Sequence, residues 1–188
     1  MTAVAALAVL GTLGSPFAAY AATANSTITA TVSSTITVTS SGAVALALTP
    51  TASPVVTSAS DTVTVNTNNS IGYTLTLADT DATLTLTKGG DTIAAHAGTP
   101  AAPTALATNT WGWAKAGAPF DASYAIETNS TSSTTKWAGI SNSTPAQLQS
   151  TSAPATNEVT TVWYAAKINN TKATGAYTDQ VVYTALAK

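Results

Sequence analysis

The sequence predicts an all-β protein, and three observations carry that prediction. Apolar and polar residues alternate along many short stretches, which is typical of half-buried strands. Charged residues make up only 7% of the 188 residues, so the polar surface consists largely of threonine, serine and asparagine, and threonine favours strands. Turn residues separate the stretches at short intervals. Together these features predict a single antiparallel β-sandwich, immunoglobulin-like or jelly-roll-like, over residues 25–188.

Residues 1–24 are predicted to form a secretory signal peptide. The apolar run of residues 3–13 is shorter than the ~20 apolar residues that span a bilayer. Ala19-Tyr20-Ala21 then provides the small residues of a cleavage site. Because no lysine or arginine precedes the run, the N-terminal helix of a type IV pilin is the alternative interpretation. We expect an exported protein at the cell surface, with no membrane contact once the signal is cleaved.

Residues 25–39 form the most regular alternating stretch of the chain. One face carries apolar side chains and the other carries serine and threonine. No charged side chain occurs between Met1 and Asp61, although proteins normally protect exposed strand edges with charges, prolines or bulges. One interpretation is a strand that adds to the sheet of a neighbouring subunit, with four apolar anchors: Ile28, Val32, Ile36 and Val38. The alternative is an ordinary first strand that pairs within its own domain.

Shorter strands follow along the chain. Alternation and turn residues predict strands at 44–48, 63–65, 71–77 and 84–86, a loop at 49–60, and turns at 79–81 and 88–91. Residues 144–149 are predicted to form at most a single helical turn. The C-terminal part is predicted to be a β-hairpin with arms at residues 159–168 and 177–186. Its first arm is apolar on both faces, which places it in the middle of a sheet that is covered on both sides.

Residues 94–135, with Trp137 just beyond them, are less regular and rich in aromatic side chains. One interpretation is that the aromatic side chains cap the ends of the sandwich and bury a large apolar area. Gly112 favours it, because a glycine between two tryptophans indicates close packing. Alternatively, three exposed indoles form a flat platform that stacks on sugar rings, and the candidate glycan contacts are then Trp111, Trp113 and Trp137.

Residue chemistry argues against an enzyme or a metal protein. The chain contains one histidine, His96, which we assign to a loop, and no cysteine. A zinc site needs at least three protein ligands, and a hydrolytic triad needs a base beside its nucleophile. Asp79 and Asp81 form a short acidic pair that lacks the other ligands of a calcium loop. We therefore predict no catalytic residues, no metal and no cofactor.

Charge also limits the class of partner. The net charge is −2, and no cluster of basic residues occurs along the chain. Nucleic-acid binding needs several lysine or arginine side chains on phosphates, so we predict no nucleic-acid partner. The same scarcity of positive charge removes the usual attraction to anionic lipid surfaces.

Several stretches in combination resemble one group of known proteins. They are residues 63–77, 109–114, 136–140 and 175–185, which read VTVNTNNSIGYTLTL, NTWGWA, KWAGI and GAYTDQVVYTA. Together they resemble poorly characterised secreted β-sandwich surface proteins of small-genome candidate-phylum bacteria. The ending is also loosely similar to the last strand of WxL domains, which bind the Gram-positive cell wall, although Tyr183 stands where those domains carry tryptophan. The resemblance implies the β-sandwich fold and a surface location.

These expectations combine into one predicted function and one alternative. The predicted function is a non-enzymatic structural or adhesive protein of a bacterial cell surface, a pilin-like or coat-like subunit of a fimbria or filament. It would assemble by β-strand addition, and its expected partners are further copies of the chain. Low charge favours close packing of subunits because self-repulsion is weak. The alternative is a monomeric module that binds cell-wall glycan or another carbohydrate through exposed tryptophans.

Overall fold

The structure, a computed structural model, describes residues 22–117, 120 and 135–188. The chain divides into two compact units, residues 1–32 and 33–188. The described part of the first unit, residues 22–32, contains no strand. The predicted signal peptide lies outside the described residues apart from residues 22–24. No helix capable of crossing a membrane occurs in the part of the chain that the structure describes.

The described residues of the second unit form nine strands, which confirms the all-β class. They are β1 (Ile36–Thr39), β2 (Val56–Thr67), β3 (Tyr73–Asp79), β4 (Leu86–Lys88), β5 (Asp91–Ala95), β6 (Thr110–Lys115), β7 (Ala146–Ser150), β8 (Ala155–Lys167) and β9 (Val181–Ala187). A six-stranded sheet has the order β1-β2-β8-β6-β5-β4, and a three-stranded sheet has the order β7-β3-β9. One of the two sheets is a curled half-barrel. All neighbouring strands are antiparallel except β5 and β6, whose short pairing is parallel.

Strand β8 lies in the middle of the larger sheet, as its sequence predicts. It pairs with β2 along almost its whole length and with β6 along its second half. Residues 162–166 are all buried, because neighbouring strands flank them and both faces of the sheet are covered there. Trp163, at 6% exposure, is part of this core.

The predicted C-terminal hairpin is wrong. β8 belongs to the six-stranded sheet, whereas β9 pairs with β3 in the other sheet. Alternation of apolar residues predicts each strand but carries no information about its partner. Residues 168–180 are long enough to cross between sheets, and Thr178 exchanges two main-chain hydrogen bonds with Thr87 on the way.

Four other assignments also need correction. Residues 144–149 belong mostly to strand β7 rather than to a helical turn, and β2 begins at Val56, inside the predicted loop. The Trp-Gly-Trp segment, which lies in the stretch predicted to be less regular, is strand β6. Residues 44–48 contain no strand, although Val44, Leu46 and Leu48 are half-buried against the core as the alternation predicts. The main chain of residues 44–48 forms no hydrogen-bond ladder with any neighbouring strand that the structure describes. The spacing of apolar residues alone cannot reveal whether such a ladder exists.

Alternate residues of β2 and β3 form the centre of the core. Val63 and Val65 of β2 are fully buried, and so are Tyr73 and Leu75 of β3. Their intervening neighbours are mainly threonines that lie closer to the surface. This period of two is the physical basis of the strand predictions, because successive side chains of a strand point to opposite faces.

Candidate functional site

A groove opens beside the first half of β9. We call it the β9 groove: a cavity of about 590 Å³ between residues 40–46 and the first half of β9, with Trp111 and Tyr164 among its lining residues. Its walls combine half-buried apolar side chains, such as Val44, Leu46 and Val181, with a few polar groups. Ligand sites in proteins commonly have volumes of about 300–1,000 Å³ and this mixture of walls. The groove is therefore the candidate binding site of the domain.

A buried carboxylate anchors one wall of the groove. Asp61 of β2 is only 2% exposed. Its Oδ1 accepts a hydrogen bond of 2.9 Å from the main-chain N–H of Ser41 and a second, short one from the Ser41 hydroxyl. Charge-assisted bonds of this kind are stronger than neutral ones. They attach residues 40–46, which lack strand pairing, to the six-stranded sheet.

Two tyrosines join the sheets across the interior. The hydroxyls of Tyr164 in β8 and Tyr183 in β9 are 2.8 Å apart. Burial raises the pKa of both hydroxyls well above the usual value, and the negative charge of Asp61 acts in the same direction. Both hydroxyls therefore stay protonated at any physiological pH. They can donate and accept hydrogen bonds, but they supply no charged base.

Three carboxylates collect at the start of β9. The pairing of β3 with β9 places Asp79 opposite Val181, and the Thr80 N–H donates to the Gln180 carbonyl 3.2 Å away. Asp179, two residues before β9, is close enough to Asp79 and Asp81 for their charges to act on it. Burial raises the pKa of Asp179 to about 6, the Gln180 N–H acts in the opposite direction, and the charges of Asp79 and Asp81 raise it further. The sequence predicts only the Asp79–Asp81 turn, so the third carboxylate is a contribution of the fold.

The acidic cluster does not amount to a metal site. Asp79 Oδ2 and Asp179 Oδ2 have no hydrogen-bond partner in the part of the chain that the structure describes. Even so, no three His, Asp or Glu side chains among residues 22–117, 120 and 135–188 gather in a way that could hold a metal ion. The chemical consequence of the cluster is a pH-dependent charge at one end of β9.

The three tryptophans proposed as glycan contacts lie in the core. Trp111, Trp113 and Trp137 are 3%, 1% and 0% exposed. Trp111 Nε1 donates to the Leu84 carbonyl, and Trp113 packs its ring 5.1 Å from that of Phe120. A platform for sugar stacking needs an exposed aromatic face, so the expectation that these three indoles are exposed is wrong. The core interpretation of the aromatic residues is confirmed.

His96 has a structural place at the end of β5. It is 7% exposed, its Nε2 lies 2.8 Å from Thr104 Oγ1, and its Nδ1 accepts from the Ala107 N–H. Accepting at Nδ1 leaves the proton of the neutral ring on Nε2, which then donates to Thr104. Burial lowers the pKa of His96, while a hydrogen bond to the main chain of Thr104 acts in the opposite direction. The prediction of a loop position is confirmed.

The proposed assembly strand is divided between two environments. Ile36 and Val38 belong to β1 and pair with Thr67 and Val65 of their own domain. Residues 22–35 contain no strand, and all of them are exposed. Ile28 is 92% exposed and Val32 is 83% exposed. The prediction of one continuous strand over residues 25–39 therefore needs correction: its last four residues are an edge strand, and residues 25–35, which we call the arm, have no strand partner in the described part of the chain. Among the described residues, only the end of the arm is held to its own domain, because the carbonyls of Ser33 and Thr35 accept hydrogen bonds from the side chains of Asn68 and Thr67.

Sequence reasoning missed the groove. Asp61, Tyr164 and Tyr183 are more than a hundred residues apart at the extremes, and nothing local marks them as neighbours. The only signal in the sequence was that residues 1–60 contain no charged side chain, so that Asp61 is the first carboxylate of the chain. Comparison with known proteins adds no assignment, since no family model, no curated protein and no solved structure matches the chain.

Proposed function

We propose that this protein is a non-enzymatic structural subunit of a secreted bacterial surface assembly, pilin-like or coat-like, that assembles by β-strand addition. In this proposal residues 1–24 direct export, and the two sheets are the layers of an antiparallel β-sandwich. The arm of one copy adds as a strand to a sheet of the next copy. Adhesion to a surface is then a property of the assembled filament or coat.

The observation that carries this proposal is the state of the arm. Its alternate apolar residues Ile28 and Val32 have the spacing of a strand face, yet both are almost fully exposed. An alternating, uncharged segment with no sheet of its own is a natural donor for an open edge elsewhere, because main-chain hydrogen bonds supply affinity and alternate side chains supply specificity.

The energetics predict a weak individual contact. Burying a valine or isoleucine side chain contributes about 1.5–3 kcal/mol, and each main-chain hydrogen bond contributes about 0.5–1.5 kcal/mol net. Association itself costs about 4–15 kcal/mol. The contribution of two apolar anchors and a few hydrogen bonds is similar in size to this cost. We therefore expect assembly to depend steeply on protein concentration.

The arm can be tested by charging one face at a time. Ile28→Asp/Val32→Asp places two carboxylates on the apolar face, and the matched control Thr29→Asp/Thr31→Asp places the same charge on the opposite face. Sedimentation velocity over a concentration series, with negative-stain electron microscopy of the full chain, measures assembly. We expect the first variant to remain monomeric at concentrations where the wild type and the control assemble.

Two results would contradict the proposal. A wild-type protein that stays monomeric at every concentration would show that the chain is not a self-assembling subunit. Equal loss of assembly in both double variants would show that added charge, rather than burial of one arm face, is responsible. Circular dichroism checks that each variant retains its β-sheet content.

A further inference from the structure

We infer that the β9 groove is the acceptor site for the arm of a second copy, with the arm lying along the free edge of β9. The inference rests on the proposed function and adds to it the surface that receives the strand. Three features of the described residues support it: the direction of the free main-chain groups of β9, the shape of the groove, and the chemistry of the arm.

The main-chain groups of β9 are divided between a bonded side and a free side. The Lys188 N–H donates to the Gly72 carbonyl, and the Thr80 N–H donates to the Gln180 carbonyl. Hydrogen-bonded pairs alternate along an antiparallel ladder, so even-numbered residues of β9 bond to β3. Odd-numbered residues, from Val181 to Ala187, direct their N–H and C=O groups away from β3. No described strand pairs with that edge.

The groove lies against this free edge at one end only. Asn68 accepts from the Thr35 N–H before β1, and Asn69 donates to the Lys188 carbonyl after β9. These neighbouring asparagines hold the start of β1 close to the end of β9. At the other end, residues 40–46 and the start of β9 stand apart and the cavity opens between them. A strand can therefore enter beside Val181 and Tyr183, where the free edge borders the cavity.

The arm has the chemistry that this groove accepts. Strand addition to β9 continues the alternation of the sheet, so one face of the arm points to the same side as Val181 and Tyr183, toward the cavity. On that face the arm carries Ile28 and Val32, with Ala30 between them. The opposite face carries threonines, which remain in water. Extended at about 3.3 Å per residue, residues 25–35 are longer than the seven-residue strand β9, so the arm is long enough to cover the part of the β9 edge that borders the cavity.

The other free edge of the smaller sheet is less suited to accept a donor strand. β7 is the second edge of the smaller sheet, but its ladder with β3 shifts register between Leu75 and Thr76. No residue of β7 lines the cavity. Exposed Gln147 of β7 therefore serves as a matched control position for a free edge without a groove.

Engineered disulfides test the acceptor, because the chain contains no cysteine. Thr31→Cys places a thiol on the outward face of the arm. Val182→Cys places one on the outward face of β9, where Val182 is 41% exposed. Because Val182 directs its main-chain groups toward β3, it would form a non-hydrogen-bonded pair with an arm residue, and the Cα atoms of such a pair lie about 4.5 Å apart, within the range of a disulfide. A second donor variant, Thr29→Cys, detects pairing in a register shifted by two residues. Each full-length chain carries one donor and one acceptor cysteine and is oxidised at a concentration where the wild type assembles.

The expected result is a ladder of covalent oligomers beyond the dimer on a non-reducing gel for chains with Val182→Cys. We expect at least about tenfold less of it for chains with Gln147→Cys. A ladder of oligomers through Gln147→Cys instead would overturn the assignment of β9 as the acceptor but would still support strand addition.

An intrachain disulfide that gives only faster-migrating monomers would show that the arm binds its own chain and not a second copy, which would overturn the inference. Oligomers without any arm–β9 disulfide would also overturn the inference, whereas a monomeric wild type would contradict the proposed function itself.

Discussion

Asp61 shows how a buried charge is stabilised in a chain with very few charges. Among the described residues the one recorded ion pair joins Lys88 to Asp91 at the surface, so no basic side chain neutralises Asp61. Ser41 supplies both its main-chain N–H and its hydroxyl instead. Hydrogen bonds to a charged group contribute about 1.5–3 kcal/mol each, which offsets part of the cost of burial. One serine thus positions the wall of the β9 groove.

The environment of the Asp179 carboxylate is less favourable to a negative charge than that of Asp61. Because burial and the charges of Asp79 and Asp81 raise its pKa to about 6, the folded state binds its proton more tightly than the unfolded chain does. The stabilisation from that proton is fully present below the unfolded pKa of about 4 and is lost as the pH rises through about 6. At neutral pH the ionised Asp179 therefore destabilises the fold.

We predict that Asp179→Asn raises the melting temperature at pH 7.5 and that this gain disappears near pH 4. Asparagine removes the charge, and its side-chain oxygen can still accept from the Gln180 N–H. Differential scanning fluorimetry of both proteins between pH 4 and pH 8 measures the difference. The control Asp91→Asn removes an exposed carboxylate of the same charge, and surface ion pairs contribute only about 0–1 kcal/mol. A gain in Asp179→Asn that does not change with pH would contradict this account.

Strand β6 owes its position to a glycine. A Cβ atom at Gly112 would lie 2.5 Å from the carbonyl oxygen of Ala138 and 3.3 Å from the Cβ of His96. The carbonyl cannot easily move, because it accepts a hydrogen bond of 2.8 Å from the Trp113 N–H. The glycine between two tryptophans therefore lets β6 approach the segment around Ala138 and bury both indoles.

We predict that Gly112→Ala destabilises the domain by about 1–3 kcal/mol, the usual range for overpacking a tight core. For a domain of this size each kcal/mol lowers the melting temperature by about 2–4 °C. Gly90→Ala, in the turn between β4 and β5, is the matched control because a Cβ there meets nothing within 4 Å. Thermal unfolding followed by tryptophan fluorescence compares the two. Equal stability of Gly112→Ala and wild type would show that β6 can shift without loss.

The elements were predictable where their evidence is local. Period-two alternation locates β3 and the second half of β2, a run that is apolar on both faces locates β8, and the Gly89-Gly90 turn marks the antiparallel pair of β4 and β5. Which strands pair with each other depends on the whole fold, so the separation of β8 and β9 into different sheets was not predictable. Residues 44–48 have the side-chain pattern of a strand without its main-chain bonds, and only the position of a neighbouring edge decides between the two.

The candidate site was less predictable than the elements for the same reason. The arm follows from the sequence, because its alternation and its lack of charge are local properties. The groove that we propose as its acceptor consists of residues from both ends of the domain, brought together by the crossing of residues 168–180 between sheets. A donor strand can be found in a sequence by its pattern, whereas an acceptor groove is defined by what the fold leaves unfilled.

At the scale of the whole molecule, the low charge determines what kind of force can hold copies together. The net charge is −2, and neither residues 25–60 nor β9 contain a charged side chain. Association through the arm and the β9 groove therefore relies on apolar burial and main-chain hydrogen bonds. Mutual repulsion between copies is also small, since little charge has to be brought together.

We therefore predict that assembly of the wild-type protein changes less than about twofold in apparent association constant between 50 mM and 500 mM NaCl. Screening weakens interactions between exposed charges over this range, because the Debye length falls below about 10 Å above 0.1 M salt, but it leaves apolar contacts in place. Thr29→Asp/Thr31→Asp is the informative comparison: its added carboxylates repel one another between copies, so its assembly should be weaker at 50 mM than at 500 mM salt. Sedimentation velocity at matched protein concentrations measures both series. A wild-type association constant that falls tenfold with salt would mean that charged contacts outside the arm and the β9 groove hold the assembly together.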